Sequence, residues 1–217
     1  MKKSSGSIFV VVAASLWAMD GVLRRSLYVL APLTIVLWEH LIGLAILAPT
    51  NWRKLQLRTI GKQSWLIGAA IGLFSGLIGT LAFTAALQQV NYIPFSVVLL
   101  MQKLQPIFAG MTAYVLLRER FTRRYFLWAL LAMVAAFFVT FPNGSVSLLE
   151  GNGQIIAALL ALTAAICWGG STSLSKLLLQ KQTEVQATAL RFGWTILWSL
   201  LAMLLFAPTL LTVVPNF

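Results

Sequence analysis

The chain has 217 residues, of which 59% are apolar and 10% charged, with a mean hydropathy of +0.88. A soluble domain carries roughly 25% charged residues to cover its surface, so this composition excludes a water-soluble globular class. The net charge of +11 comes from 16 Lys and Arg against 5 Asp and Glu. These bases cluster between long apolar runs, the pattern of cytoplasmic loops beside anionic headgroups rather than of a nucleic-acid surface.

The lone cysteine, Cys167, lies inside an apolar run, so neither a disulfide framework nor a paired-thiol metal site is expected. The single histidine cannot complete a metal site, and no Gly-x-Ser-x-Gly or His-Glu-x-x-His motif occurs. The reading is therefore of a non-enzymatic protein without metal or cofactor.

A span needs about 20 mainly apolar residues to cross the hydrocarbon layer. Seven segments are predicted as transmembrane helices: 8–30, 32–48, 65–87, 93–117, 125–141, 155–179 and 185–206. The first begins after Met-Lys-Lys like a signal peptide, but it runs on past Asp20 to Leu30 without a clear cleavage site. It is read as an uncleaved helix. Pro32, Pro94 and Pro142 fall at or near span ends, where a missing N–H costs least. Pro106 falls inside the fourth span, where it is expected to kink the helix or expose the Gln102 carbonyl. Gly68, Gly72 and Gly76 in the third span make a small-residue face for close helix approach, expected to serve packing and a homodimer contact.

Twelve bases fall on one side of this arrangement: Lys2, Lys3, Arg53, Lys54, Arg58, Lys62, Arg118, Arg120, Arg123, Arg124, Lys176 and Lys181. Arg24 and Arg25 fall near the other, with Glu150. The positive-inside rule then puts the N-terminus in the cytoplasm, consistent with a multi-pass protein of a bacterial inner membrane. Glu119 and Arg120, at the cytoplasmic end of the fourth span, are expected to cap or bridge loops.

Trp17 and Arg25 match Trp168 and Lys176 at an offset of 151, and Glu39 matches Arg191 at 152. Ala14-Ser15-Leu16-Trp17 runs like Ala165-Ile166-Cys167-Trp168. Five spans separate the copies, so the second is inverted in the membrane, a transporter construction.

Charges within hydrocarbon cost about 2.5–3.5 kcal/mol each on insertion scales, so each needs a reason. Helical rise places Asp20, Glu39 and Lys103 at similar depths, with His40 beside them. Trp17, Asp20 and Arg24 share one helix face. A polar stripe of Asn91, Ser96, Gln102, Lys103, Gln105 and Pro106 marks the fourth span, and Trp168, Ser171, Thr172 and Ser175 mark the sixth. The stripes point to a shared cavity. The structural alternatives are an Asp20–Arg24 pair at i,i+4, a Lys103 bridge to Glu39 or Asp20, and a His40 that merely packs.

The run Leu104-Gln105-Pro106-Ile107-Phe108-Ala109-Gly110, ending in Leu117-Arg118-Glu119-Arg120-Phe121-Thr122, resembles the fourth-helix signature of EamA-type proteins of the drug/metabolite transporter superfamily. Arg118 stands where that signature has glycine, and Phe121 where it has leucine. The Ala-Ser-Leu-Trp-Ala and Ile-Cys-Trp-Gly-Gly segments, and Leu190-Arg191-Phe192, are similar to further family patterns; Glu39 holds the first-repeat place of Arg191.

The resemblance implies an all-α integral membrane protein of about seven transmembrane helices. One complete five-helix repeat (8–142) would be followed by two helices of an inverted second repeat (153–217), so that the chain reads as truncated. It further implies a secondary carrier, with export as one direction, of a small metabolite such as an amino acid, working by alternating access. The alternatives are a non-transporting fragment of such a carrier and an intramembrane enzyme. The expected substrate-binding residues are Trp17, Asp20, Glu39, His40, Gln102, Lys103, Gln105, Trp168, Ser171 and Arg191, with the two tryptophans stacking or gating. The expected partners are a small-molecule substrate and the lipid bilayer, and not nucleic acid.

Overall fold

The structure is a computed structural model that describes residues 4–27, 29–89, 94–140, 144 and 153–211. Lys2, Lys3, Asn91, Ile93, Phe141, Pro142, Glu150, residues 212–217, and the side chains of Arg25 and Ser96 lie outside the described residues.

The described chain is helical: α1 (Ser4–Ser26), α2 (Pro32–Thr50), α3 (Trp52–Leu55), α4 (Lys62–Ile71), α5 (Thr80–Gln88), α6 (Phe95–Gln102), α7 (Gln105–Leu116), α8 (Arg123–Thr140), α9 (Gly153–Leu179) and α10 (Glu184–Phe206). A π-helical turn, Gly72–Gly79, joins α4 to α5 in one continuous rod, Lys62–Gln88. Among the described residues, five helical stretches are long and apolar enough to cross a membrane: Ser7–Arg24, Pro32–Thr50, Lys62–Gln88, Ile155–Leu179 and Glu184–Phe206. Large apolar side chains line the outside, among them Phe9, Val10, Trp128 and Leu204, as lipid-facing surfaces require. The chain is an all-α membrane protein.

The expected fourth span departs from a single rod. It is two short helices, α6 and α7, broken at Lys103 and Leu104. Pro106 has no N–H to return to the Gln102 carbonyl, so the chain tightens through Lys103 N–H to Leu100 O (2.9 Å) and Leu104 N–H to Met101 O (3.0 Å). Pro106 then serves as an early residue of α7, where a missing N–H is harmless. The expected kink is in fact a full interruption.

Helix α9 is the central strut, packed against α4, the π turn, α5, α6 and α7. Its fully buried Ala157, Ala161, Ala164 and Ala165 form a smooth ridge, and Phe83, Leu87, Val98 and Met101 fill against that side. Small residues matter here because apolar lipid gives helices no hydrophobic reason to associate; close packing supplies the attraction instead. A second cluster, Ile60, Ile71, Leu178 and Leu190, closes the opposite end with Trp194.

The glycine face of the third span meets α10 of the same chain. A Cβ at Gly72 would lie 2.6 Å from Trp194 Cβ, and one at Gly76 would overlap the Thr195 hydroxyl. Thr195 donates to Gly72 O at 3.2 Å, and Trp198 Nε1 donates to Ala69 O at 3.1 Å. The packing role of Gly68, Gly72 and Gly76 holds, but the expected homodimer contact on this face does not. The surface is already occupied within the chain.

The end of α7 shows why a glycine belongs there. Arg118 adopts φ 54°, in the left-handed region, while Glu119 N–H folds back to Ala113 O. Glu119 then pairs with Lys176 of α9 at 2.6 Å, the bridging role expected of it.

Candidate functional site

The polar faces of α1, α2, α7, α9, α10 and the π turn converge on a cavity of about 530 Å³. Its walls include Trp17, Asp20, Glu39, Gln105, Trp168, Ser171 and Arg191, seven of the expected site residues. Thr172 and Ser175 complete the expected α9 stripe. A volume of this size falls within the range of small-molecule pockets, roughly 300–1,000 Å³.

Arg24 organises the charged wall. Its Nε donates to Asp20 Oδ2 at 2.8 Å, Nη2 to Glu39 Oε2 at 2.7 Å, and Nη1 to Thr84 Oγ1 at 3.0 Å. The residue is only 5% exposed, so without these partners an uncompensated cation would sit inside the bundle. The i,i+4 spacing predicted the Asp20 contact, while the Glu39 contact depends on how α2 lies against α1. Sequence reasoning offered Lys103 as the partner of Glu39 or Asp20. Arg24 takes both carboxylates instead, and it is the site residue that the expected set lacked.

The hydroxyl ladder beneath Arg24 was also absent from the expected set. Thr84 Oγ1 donates to Thr80 O at 2.8 Å, and Thr80 Oγ1 donates to Ser75 O at 3.1 Å. Trp168 Nε1 donates to the same Ser75 carbonyl at 2.9 Å. A π turn alters the usual backbone register, and such turns gather at functional sites. Here the turn aims one carbonyl at the cavity's tryptophan. The four-residue rhythm of Thr80 and Thr84 was the available signal.

Trp17 meets Trp168 edge to face, with ring centroids 6.2 Å apart and planes at 70°. Phe83 backs Trp168 at 5.1 Å. Gly169 lets α7 approach this corner, since a Cβ there would lie 2.5 Å from Gln105 O. Of the residues that matched in the sequence, Trp17 with Trp168 and Glu39 with Arg191 face one cavity, while Lys176, the match of Arg25, pairs with Glu119.

Gln102 and Lys103 open on an adjoining cavity of about 420 Å³ that shares Trp17, Gln105 and Thr172 with the first. The Lys103 Nζ stands 5.0 Å from the Trp17 ring centroid, a cation–π contact. His40 lines neither cavity. It is buried, with Nδ1 at 2.8 Å from Val36 O and its ring edge-on to Phe192 at 5.4 Å, and this is the packing alternative.

Three buried polar atoms at these cavities lack a hydrogen-bond partner among the described residues: Ser171 Oγ and Arg191 Nε in the first and Gln102 Nε2 in the second. Among the described residues, no cluster of His, Cys, Asp and Glu has the makings of a metal site.

Comparison with known proteins agrees with this architecture. Residues 4–141 match the model of the EamA-like transporter family. The riboflavin transporter ImpX of Fusobacterium nucleatum is 32% identical over 198 residues. That match covers 88% of this chain and 64% of the relative, so the chain spans about two thirds of the relative's length. No solved structure matches the chain. With a family match across most of its length, and with the proline-broken helix that carries the signature in place, the chain belongs to the EamA-like transporter family.

Proposed function

We propose that the chain forms the substrate-binding part of a secondary carrier that moves a small metabolite across the membrane by alternating access. The observation that carries this reading is the cavity walled by Trp17, Trp168, Glu39 and Arg191, residues from both halves of the matched sequence. In carriers built from inverted repeats, the site lies near the midplane between repeats, and interrupted helices border it. The α6–α7 break beside Gln105 fits that pattern, and so does the family match over residues 4–141. On this reading 8–142 is one repeat and 153–217 carries two helices of the second.

The orientation proposed is N-terminus inside, in a bacterial inner membrane, from the twelve bases on one side. Cysteine-accessibility labelling at Arg58 and at Leu30 would test it; labelling of Arg58→Cys by an impermeant reagent in intact cells would refute it.

Two substrates have specific support. The similarity to a riboflavin transporter favours a flat heteroaromatic molecule, which the Trp17–Trp168 corner suits. The presence of Arg191 in the cavity wall favours an amino acid, whose carboxylate it would pair with. Flux of labelled riboflavin and of labelled amino acids into proteoliposomes holding the full-length protein decides between them. No flux of either class, in either direction, overturns the carrier reading.

A further inference from the structure

The buried side-chain atoms that lack a partner in the two adjoining cavities can all donate a hydrogen bond. The charged side chains lining them are Asp20, Arg24, Glu39, Arg191 and Lys103, so three bases face two acids. Both acids are already held by Arg24, whose three nitrogens each donate to one partner, Asp20, Glu39 and Thr84. Beside that pairing stand further donors: Arg191, whose Nε is buried without a partner, and the Lys103 ammonium. The Gln102 amide is 3% exposed with its Nε2 unpartnered, and Ser171 is 3% exposed with an unpartnered hydroxyl.

We infer that this paired cavity selects a flat ligand bearing carboxylate or carbonyl oxygens and discriminates against cations. Buried donors without partners are costly, and a ligand that supplies acceptors removes that cost while a cation adds to it. The tryptophan corner accommodates the ring, Arg191 and Ser171 take oxygens in the first cavity, and Gln102 and Lys103 take them in the second. Arg24 already pairs with Asp20 and Glu39, and with Arg191 in the same wall the two acids of the first cavity are matched by two bases, so no net negative charge remains there to recruit a cation. The inference rests on the carrier reading for its physiological meaning, but it concerns binding, which is measured apart from flux.

Three probes share one ring and differ in charge: indole-3-acetate, tryptophan and tryptamine. Calorimetric titration of the full-length protein in nanodiscs of zwitterionic lipid keeps headgroup charge from biasing the comparison. Indole-3-acetate is expected to bind at least about tenfold more tightly than tryptamine, with tryptophan between them. Arg191→Gln is expected to remove about tenfold of affinity for indole-3-acetate while leaving tryptamine unweakened. Lys103→Gln, at an exposed position that leaves folding intact, should remove several-fold of the same preference. Equal or tighter binding of tryptamine, absence of indole-3-acetate binding, or an anion preference unchanged in both variants overturns the inference. Charge-selective binding without flux would leave it standing and sink the carrier reading; flux without charge selectivity would do the reverse.

Discussion

Arg24 and Glu39 lie on consecutive helices, and the guanidinium Nη2 meets the carboxylate Oε2 at 2.7 Å, joining α1 to α2 inside the bundle. Asp20, one turn back, holds the other side of the same guanidinium at 2.8 Å. Helix α1 is otherwise largely exposed, so this ion triad is a principal tie between it and the rest of the protein.

Removing the base therefore has a predictable cost. Arg24→Gln strips two carboxylates of their partner. Because Asp20 and Glu39 are themselves 33% and 44% exposed, the loss is expected to be about 2 kcal/mol rather than the 3–5 kcal/mol of a fully buried pair. The double variant Arg24→Gln with Glu39→Gln should recover part of it. Thermal unfolding in detergent checks both; a single variant as stable as the parent would contradict the role assigned to Arg24.

The close approach of the third span to α10 makes two glycines behave oppositely. Gly76→Ala forces a methyl into Thr195 and is expected to cost about 1–3 kcal/mol. Gly193→Ala meets nothing within 4 Å, and in a helix interior it should stabilise by up to about 1 kcal/mol. Unfolding midpoints of the two variants should move in opposite directions.

Arg118 carries a left-handed backbone that costs a non-glycine residue about 1 kcal/mol or more. Arg118→Gly should thus raise the unfolding midpoint. Arg118→Val, β-branched at the same φ, should lower it. A neutral or destabilising glycine would mean that the side chain contributes more than the backbone conformation costs.

For the proposed carrier, Trp17→Ala removes one wall of the aromatic corner and the ring beneath Lys103. Aromatic contacts of this kind are worth about 0.5–1.5 kcal/mol, so the substrate concentration for half-maximal flux should rise roughly two- to tenfold. Trp17→Phe should stay near the parent. Concentration-dependent uptake into proteoliposomes measures both.

Much of this protein was legible before any coordinates. Long apolar runs can satisfy their backbone in lipid only as helices, so the α class followed from composition and length. The proline at 106 announced a disturbed fourth helix, and the polar stripes on α1 and α9 named Trp17, Asp20, Trp168, Ser171, Thr172 and Ser175 because a 3.6-residue period fixes which side chains share a face. Periodicity says which residues lie together on one helix but nothing about which helix lies opposite. That is why Glu39 was offered Lys103 and found Arg24, why His40 was counted at the site and instead packs on Phe192, and why the Gly68–Gly72–Gly76 face met α10 rather than a second copy. The π turn at Gly72–Gly79, which turns Ser75 O toward Trp168, had no local sequence rule behind it. Pairings within a helix are set by spacing along the chain, whereas pairings between helices are set by the packing of whole surfaces, and only the tertiary structure decides those.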